Sequence, residues 1–193
     1  RGLDPNRSSN FNTRQNGYDI SADVLGYPES YYAPPSEALS QIQIIRGAAS
    51  LQYGTQFGGL VNFIFKAPNK NRKLNVKLRN TIGSNNLFTN FTNISGGLDK
   101  ISYNIIYNHK NGSGFRPNSN FESDNLFLNI GYEFDSTTNL NLEFTKFNYL
   151  SQQAGGLTDN MFNETPFQSN RERNWFAIDW LLYNLKFVKK FRN

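Results

Sequence analysis

Four arginines and three tyrosines are the side chains of this sequence best suited to hold a small charged molecule. Arg7 and Arg14 lie in Asn- and Ser-rich sequence, and Arg171 and Arg173 stand just ahead of Trp175. A guanidinium presents a planar fork of donors that matches a carboxylate bidentately, so these positions suit an anion. Tyr27, Tyr31 and Tyr32 fall in the run Gly26-Tyr27-Pro28-Glu29-Ser30-Tyr31-Tyr32, where amphipathic rings can wall a ligand and donate a hydrogen bond. Residues 4–12 and 22–32 read as loop tips, where binding residues tend to sit. Each candidate also has a plainer reading. Arg7 and Arg14 can pair with carboxylates of the fold itself, and Arg171 and Arg173 with Glu164 or Glu172 on a solvated loop.

Other chemistries have little to stand on. His109 is the one histidine, so no cluster of histidines can hold a metal, and a Ser-His-Asp triad would hang on that residue alone. Its place at the end of a strand reads as an ordinary rim position. The absence of cysteine removes disulfides and thiolate metal sites. Gly54-Thr55-Gln56-Phe57-Gly58-Gly59 lacks the lysine of a phosphate-binding loop. Glu133 and Glu143 read as wall residues, not as a paired acid and base. The expectation is a protein that is not an enzyme and carries no metal or cofactor of its own.

The cations Lys66, Lys70, Arg72, Lys73, Lys77 and Arg79 follow one another with no acid between them. Such a run could bind a phosphate backbone. Lys73, Lys77 and Arg79 alternate strictly with Leu74, Val76 and Leu78, however, so they read as one wall of a wet face, and no nucleic-acid partner is expected.

That alternation runs through the second two-thirds of the chain. Ile101, Tyr103, Ile105 and Tyr107 oppose Ser102, Asn104 and Asn108. Leu126, Leu128, Ile130, Tyr132 and Phe134 oppose Asn125, Asn129, Gly131 and Glu133, and Leu140, Leu142 and Phe144 oppose Asn139, Asn141, Glu143 and Thr145. With a weaker segment over 87–97 and another over 175–188, about six strands are expected. The last is apolar on both faces in its middle, which suggests a bulge or packing on the inner side. Tight turns at 98–100 and 135–138 contrast with long Asn-, Gly- and Ser-rich loops at 110–123 and 150–174. With 17 Phe and 10 Tyr, yet a mean hydropathy of −0.61 and a net charge of +5, the composition fits a β-barrel wall with one apolar and one wet face. It would suit a β-sandwich nearly as well. Six strands cannot close a membrane barrel, which needs about eight or more, so the chain reads as a fragment.

Before residue 67 the sequence is irregular, with one dense motif. Gln41 to Arg46 alternates as a strand, Gly47 and Gly54 bracket room for one or two helical turns, and Gly58-Gly59 turns into a second strand, Leu60 to Phe65. The run Gln41-Ile42-Gln43-Ile44-Ile45-Arg46-Gly47-Ala48-Ala49-Ser50-Leu51-Gln52-Tyr53-Gly54, with the strand after it, resembles the signature closing the plug domain of TonB-dependent outer-membrane receptors. The stretches 1–8 and 26–35, and Gly155-Gly156-Leu157, resemble the ferric citrate receptor subgroup. Asn16-Gly17 stands in the turn where that family usually has Asp-Gly.

This resemblance implies a mainly β fold. Residues 1–68 would be the C-terminal part of an α+β plug, and 69–193 the first strands of an outer-membrane barrel of about 22 strands. It implies active import of a ferric chelate, ferric citrate or a carboxylate siderophore, gripped by plug tips and outer loops. Partners would be the chelate, outer-membrane lipid and TonB, whose contact segment does not occur in this sequence. Arg46, Lys73, Lys77 and Arg79 would make structural contacts between plug and barrel. A receptor for an oligosaccharide, a peptide or cobalamin stays open, as does a secreted β-sandwich adhesin.

Overall fold

The computed structural model describes residues 11–21, 32–47, 52–54 and 58–191. Arg7, Tyr27, Tyr31 and the helical turns expected after Gly47 lie outside them. The chain divides into two compact units, Arg1–Ala67 and Pro68–Asn193.

In the first unit, β1 (Phe11–Gln15), β2 (Tyr18–Asp19), β3 (Leu39–Arg46) and β4 (Gly59–Phe65) form a sheet in the order β2-β1-β4-β3. Asn16 and Gly17 both have positive φ, 48° and 91°, the conformation a two-residue hairpin turn requires between β1 and β2. β1 runs parallel to β4, and β3 runs antiparallel to it. Amides fasten its strands: Asn16 Oδ1 accepts from Phe65 N at 3.0 Å, and Asn62 joins Gly17 N to the Gln43 side chain. Gly59, where β4 leaves the motif, has φ +135°, and a Cβ there would stand 2.6 Å from the Ile45 carbonyl oxygen. The tight entry into β4 therefore requires glycine.

The second unit is an antiparallel meander: β5 (Asn75–Gly83), β6 (Leu87–Leu98), β7 (Ile101–Gly112), β8 (Phe121–Asp135), β9 (Thr138–Gln152) and β10 (Trp175–Lys189), each paired with its sequence neighbours. Register gathers the alternating residues into rungs. Val76, Ile94, Ile105, Leu128, Phe144 and Tyr183 form one rung, and Leu78, Thr92, Tyr107, Leu126, Lys146 and Leu181 the next. The residues of this apolar face are large yet open, with Leu78 63% and Leu185 67% exposed. That is the arrangement of a wall turned towards hydrocarbon. Above the apolar rungs lies one composed wholly of polar residues, Asn80, Asn90, His109, Asp124, Asn148 and Asp179.

The opposite face is less polar than its alternation suggests. Asn104, Asn108, Asn125, Glu143 and Thr145 are buried there, but so are Phe91, Ile106, Phe127 and Phe147. The strands also outrun their expected ends. Lys110, Asn111 and Gly112 pair with Ser123, Glu122 and Phe121, and β9 continues to Gln152, so the long loops shrink to 113–120 and 153–174. A backbone ladder forms whatever the polarity of its side chains. Of the two alternatives for the last strand, the bulge does not occur: β10 pairs with β9 without a shift, and the register shift of the sheet's second half lies at Glu133/Asp135.

The segment leading into β5 is pinned to the sheet. Gly97 N donates to Arg72 O at 2.8 Å, Tyr103 Oη to Lys73 O at 2.7 Å, and Lys70 pairs with Glu133. Gly96 and Gly97 permit this approach; a Cβ at Gly97 would meet Lys70 Cα at 2.7 Å.

Candidate functional site

At the end of the meander opposite the tight turns stand the turn Ser84-Asn85-Asn86, the loop 113–120 and the loop 153–174. The third is folded, not extended. It contains α1 (Asp159–Glu164), whose N-cap Thr158 accepts from Met161 N at 3.3 Å. Its neck closes through Gln153 N donating to Asn174 O at 2.8 Å and Asn170 N to Ala154 O at 3.2 Å. Gly155, at φ +78°, lies so close to the Asn170 side chain that a Cβ would collide with it, which gives Gly155, though not Gly156, a packing reason.

Arg171 and Arg173 are exposed on the descending limb of this loop. Arg173 lines a hollow of about 500 Å³ with Gln153, Asn174, Trp175 and Phe176, a lining without a carboxylate. Among the described residues neither guanidinium pairs with Glu164 or Glu172. The structure thus brings together an arginine, an indole and two amides at an open surface, a set able to hold a planar anion.

Arg14 is placed otherwise. Its Nε donates to Asn12 Oδ1 (2.7 Å), Nη1 to Gly17 O (2.6 Å) and Nη2 to Tyr53 O (2.8 Å), and the guanidinium lies over the Tyr53 ring at 5.1 Å. Its donors knit the β1–β2 turn to the glycine-bounded loop of the motif. Tyr32 is 1% exposed, so it does not stand at an open tip. Arg46 ends β3 opposite Gly59. Lys77 and Arg79 lie on the face of β5 away from the apolar rungs, with Lys77 Nζ 5.9 Å from the Phe91 ring, and Lys73 precedes the strand.

One group of metal-ligating types exists among the described residues: His109, Glu122 and Asp124 bring their ligand atoms within 4.8 Å of one another. They lie on the apolar face at the level of the polar rung. Asp124 Oδ1 accepts from Tyr107 Oη at 2.6 Å and lies 3.0 Å from His109 Nδ1. Asp124 is thereby satisfied by two neighbours on the adjacent strand, three and five residues before β7 ends at Gly112.

Two residues that the sequence did not single out organise the outer loops. Arg116 Nε donates to Gln168 O (2.7 Å) and Nη2 to Ala154 O (3.3 Å). The Asn118 amide faces three carbonyls, Arg171 O (2.6 Å), Gln153 O (3.0 Å) and Asn174 O (3.3 Å). The run Pro117-Asn118-Ser119-Asn120 signals a turn but not its partners, which lie 35 to 56 residues further on.

This fold is similar to part of the fold of solved transporters and siderophore receptors. A ferric citrate transporter, FecA, in its unliganded form, matches 98% of the chain at 24% identity and a TM-score of 0.82. The siderophore receptor PirA from Acinetobacter baumannii matches 99% at 18% identity with a TM-score of 0.72, and the copper transporter OprC matches 77% at 20% identity with a TM-score of 0.61. The chain spans 30% of the FecA chain and 31% of PirA. No protein-family model matches the sequence.

Proposed function

We propose that this chain is part of an outer-membrane importer, energised through TonB, whose cargo is a ferric chelate of the carboxylate kind, ferric citrate among them. The observation that carries the reading is the likeness to FecA, which runs through 98% of the chain at a TM-score of 0.82. The plug motif in the sequence and the openly apolar face of the meander support an outer-membrane protein. The exposed Arg171 and Arg173, with Trp175 beside the latter, support an anionic cargo. Iron would arrive already ligated, so these side chains would recognise the surface and charge of the chelate and supply no metal ligand.

The test is a tryptophan-fluorescence titration of the full-length receptor in detergent, with Trp175 as the reporter nearest the hollow. Ferric citrate is compared with iron-free citrate, a ferric hydroxamate and a maltooligosaccharide. Saturable quenching by ferric citrate alone is expected. Response to the hydroxamate or the sugar, with none to ferric citrate, would remove the carboxylate cargo and keep the importer.

A further inference from the structure

We propose that Arg116 and Asn118 are positioning residues that clip the loop 113–120 onto the loop 153–174, so that the two act as one body presenting Arg171 and Arg173. The proposal rests on the reading that this loop pair recognises an anionic chelate.

Every polar contact of the clip runs in one direction. Arg116 and Asn118 donate, and the carbonyls of Gln153, Ala154, Gln168, Arg171 and Asn174 accept. One amide NH2 has two protons, so Asn118 satisfies two of its three carbonyls at a time and is shared among them. Those three carbonyls flank the neck of the longer loop, so the amide plugs the neck itself. Asn118 adopts φ +55°, a conformation asparagine tolerates better than most residues. Phe115 adds an apolar contact, its ring 4.8 Å from that of Phe167.

The consequence for recognition lies at Arg171. Its carbonyl oxygen is held by Asn118 and, at 2.8 Å, by Ser169 Oγ, while its side chain stays exposed. Its backbone is fixed and its guanidinium is free, which lowers the conformational entropy lost when a ligand is bound. The shorter loop contributes no charge to the hollow beside Arg173; it holds the limb that carries both arginines.

Two variants of the full-length receptor test this. Asn118→Asp keeps the size and backbone tolerance of the residue but turns a donor towards carbonyls into an acceptor. Arg116→Met keeps the aliphatic stem and removes the donors. The first readout is hydrogen exchange over 153–174 without any cargo, expected to quicken about ten-fold in the double variant, as loss of two or more hydrogen bonds implies. The second is affinity for ferric citrate, expected to fall about ten-fold. In a third protein Phe115→Cys and Phe167→Cys are added to the double variant and joined by a short bis-maleimide, which is expected to restore both readouts. Unchanged exchange in the double variant would overturn the clip whatever the cargo. Faster exchange with unchanged ferric citrate affinity would overturn its positioning role. If the wild type itself ignores ferric citrate while exchange quickens and the cross-link reverses it, the clip stands and the cargo reading fails.

Discussion

At the scale of single residues, positive φ sets the tightest constraints: Asn16 adopts 48°, Gly17 91° and Gly59 135°. Asn16-Gly17 and Gly58-Gly59 declare their turns because so few residues accept positive φ. Arg14 is the contrary case. From sequence it is a candidate for an anionic ligand or for a carboxylate of the fold, yet its three donor groups are engaged by neutral oxygens, one of them a carbonyl 39 residues away. No local pattern encodes such a partner. Two predictions belong here. Gly59→Ala would force a Cβ to within 2.6 Å of Ile45 O in a backbone region costly for alanine, and should destabilise the β3–β4 pair by roughly 1–3 kcal/mol. Faster hydrogen exchange of Leu60 and Val61 in the full-length receptor would register it; protection equal to wild type would refute the requirement. Arg14→Ala should loosen the β1–β2 turn, read as faster proteolysis of the first unit, and should leave cargo affinity within about two-fold, because its guanidinium is already occupied.

Secondary-structure elements were legible where one face must be apolar. The residues expected on one side of each strand do share rungs in the structure, because a period of two fixes the face once the strand exists. Ile106, Phe127 and Phe147 carry no such signal because they sit among asparagines on the other side, and alternation alone does not say what a wet face buries. Depth along the strands can be read from the rungs. From Ile101 to Tyr107 the apolar side chains of β7 span about 20 Å at ~3.4 Å per residue, near the ~25 Å apolar band of outer-membrane barrels, with Thr92 and Lys146 the polar members of the Tyr107 rung. The next rung, containing His109, is polar throughout. An arginine should therefore cost different amounts at different heights. Leu128→Arg, within the apolar rungs, is expected to destabilise the receptor in lipid vesicles by about 2–4 kcal/mol, and Ile82→Arg, beyond the polar rung, by about 0–1 kcal/mol. Equal losses in denaturant titrations would refute the assignment of depth.

The opposite end of the meander carries a turn built around the Asp135 carboxylate. Asp135 accepts from Thr137 Oγ1 at 2.6 Å and Thr137 N at 2.7 Å, with Lys189 Nζ 3.7 Å away. The Thr137 hydroxyl, then its backbone amide, hold the Asp135 carboxyl well below the usual carboxylate range. A carboxylate whose folded pKa is depressed contributes stability above its unfolded pKa and loses it as pH falls through the folded value. The turn should therefore keep its exchange protection from pH 7 down past pH 4, the region where an ordinary aspartate protonates. Protection already lost near pH 4 would show that Asp135 titrates normally.

For the whole molecule, the decisive feature is what the meander does not do. β5 pairs only with β6, and β10 only with β9, so among the described residues the six-stranded sheet has two open edges. Its face is apolar enough for lipid, yet unpaired N–H and C=O groups along an edge each cost several kcal/mol in hydrocarbon. An apolar face and open edges together exclude a stable home in either solvent: water disfavours the face, and lipid disfavours the edges. That conflict was legible in the strand count, whereas the folding of the loop 153–174 was not, since it depends on contacts with the loop 113–120. Residues 1–193 expressed alone should therefore neither stay monomeric in buffer nor give, in detergent, the heat-modifiable band of a closed barrel on a cold gel. A longer chain that supplied strands to pair with β5 and β10 should give that band. A soluble monomer with native-like strand content from residues 1–193 would defeat the barrel reading and favour a self-contained β-sandwich, because only packing of the apolar face within the same 193 residues could then keep it from water.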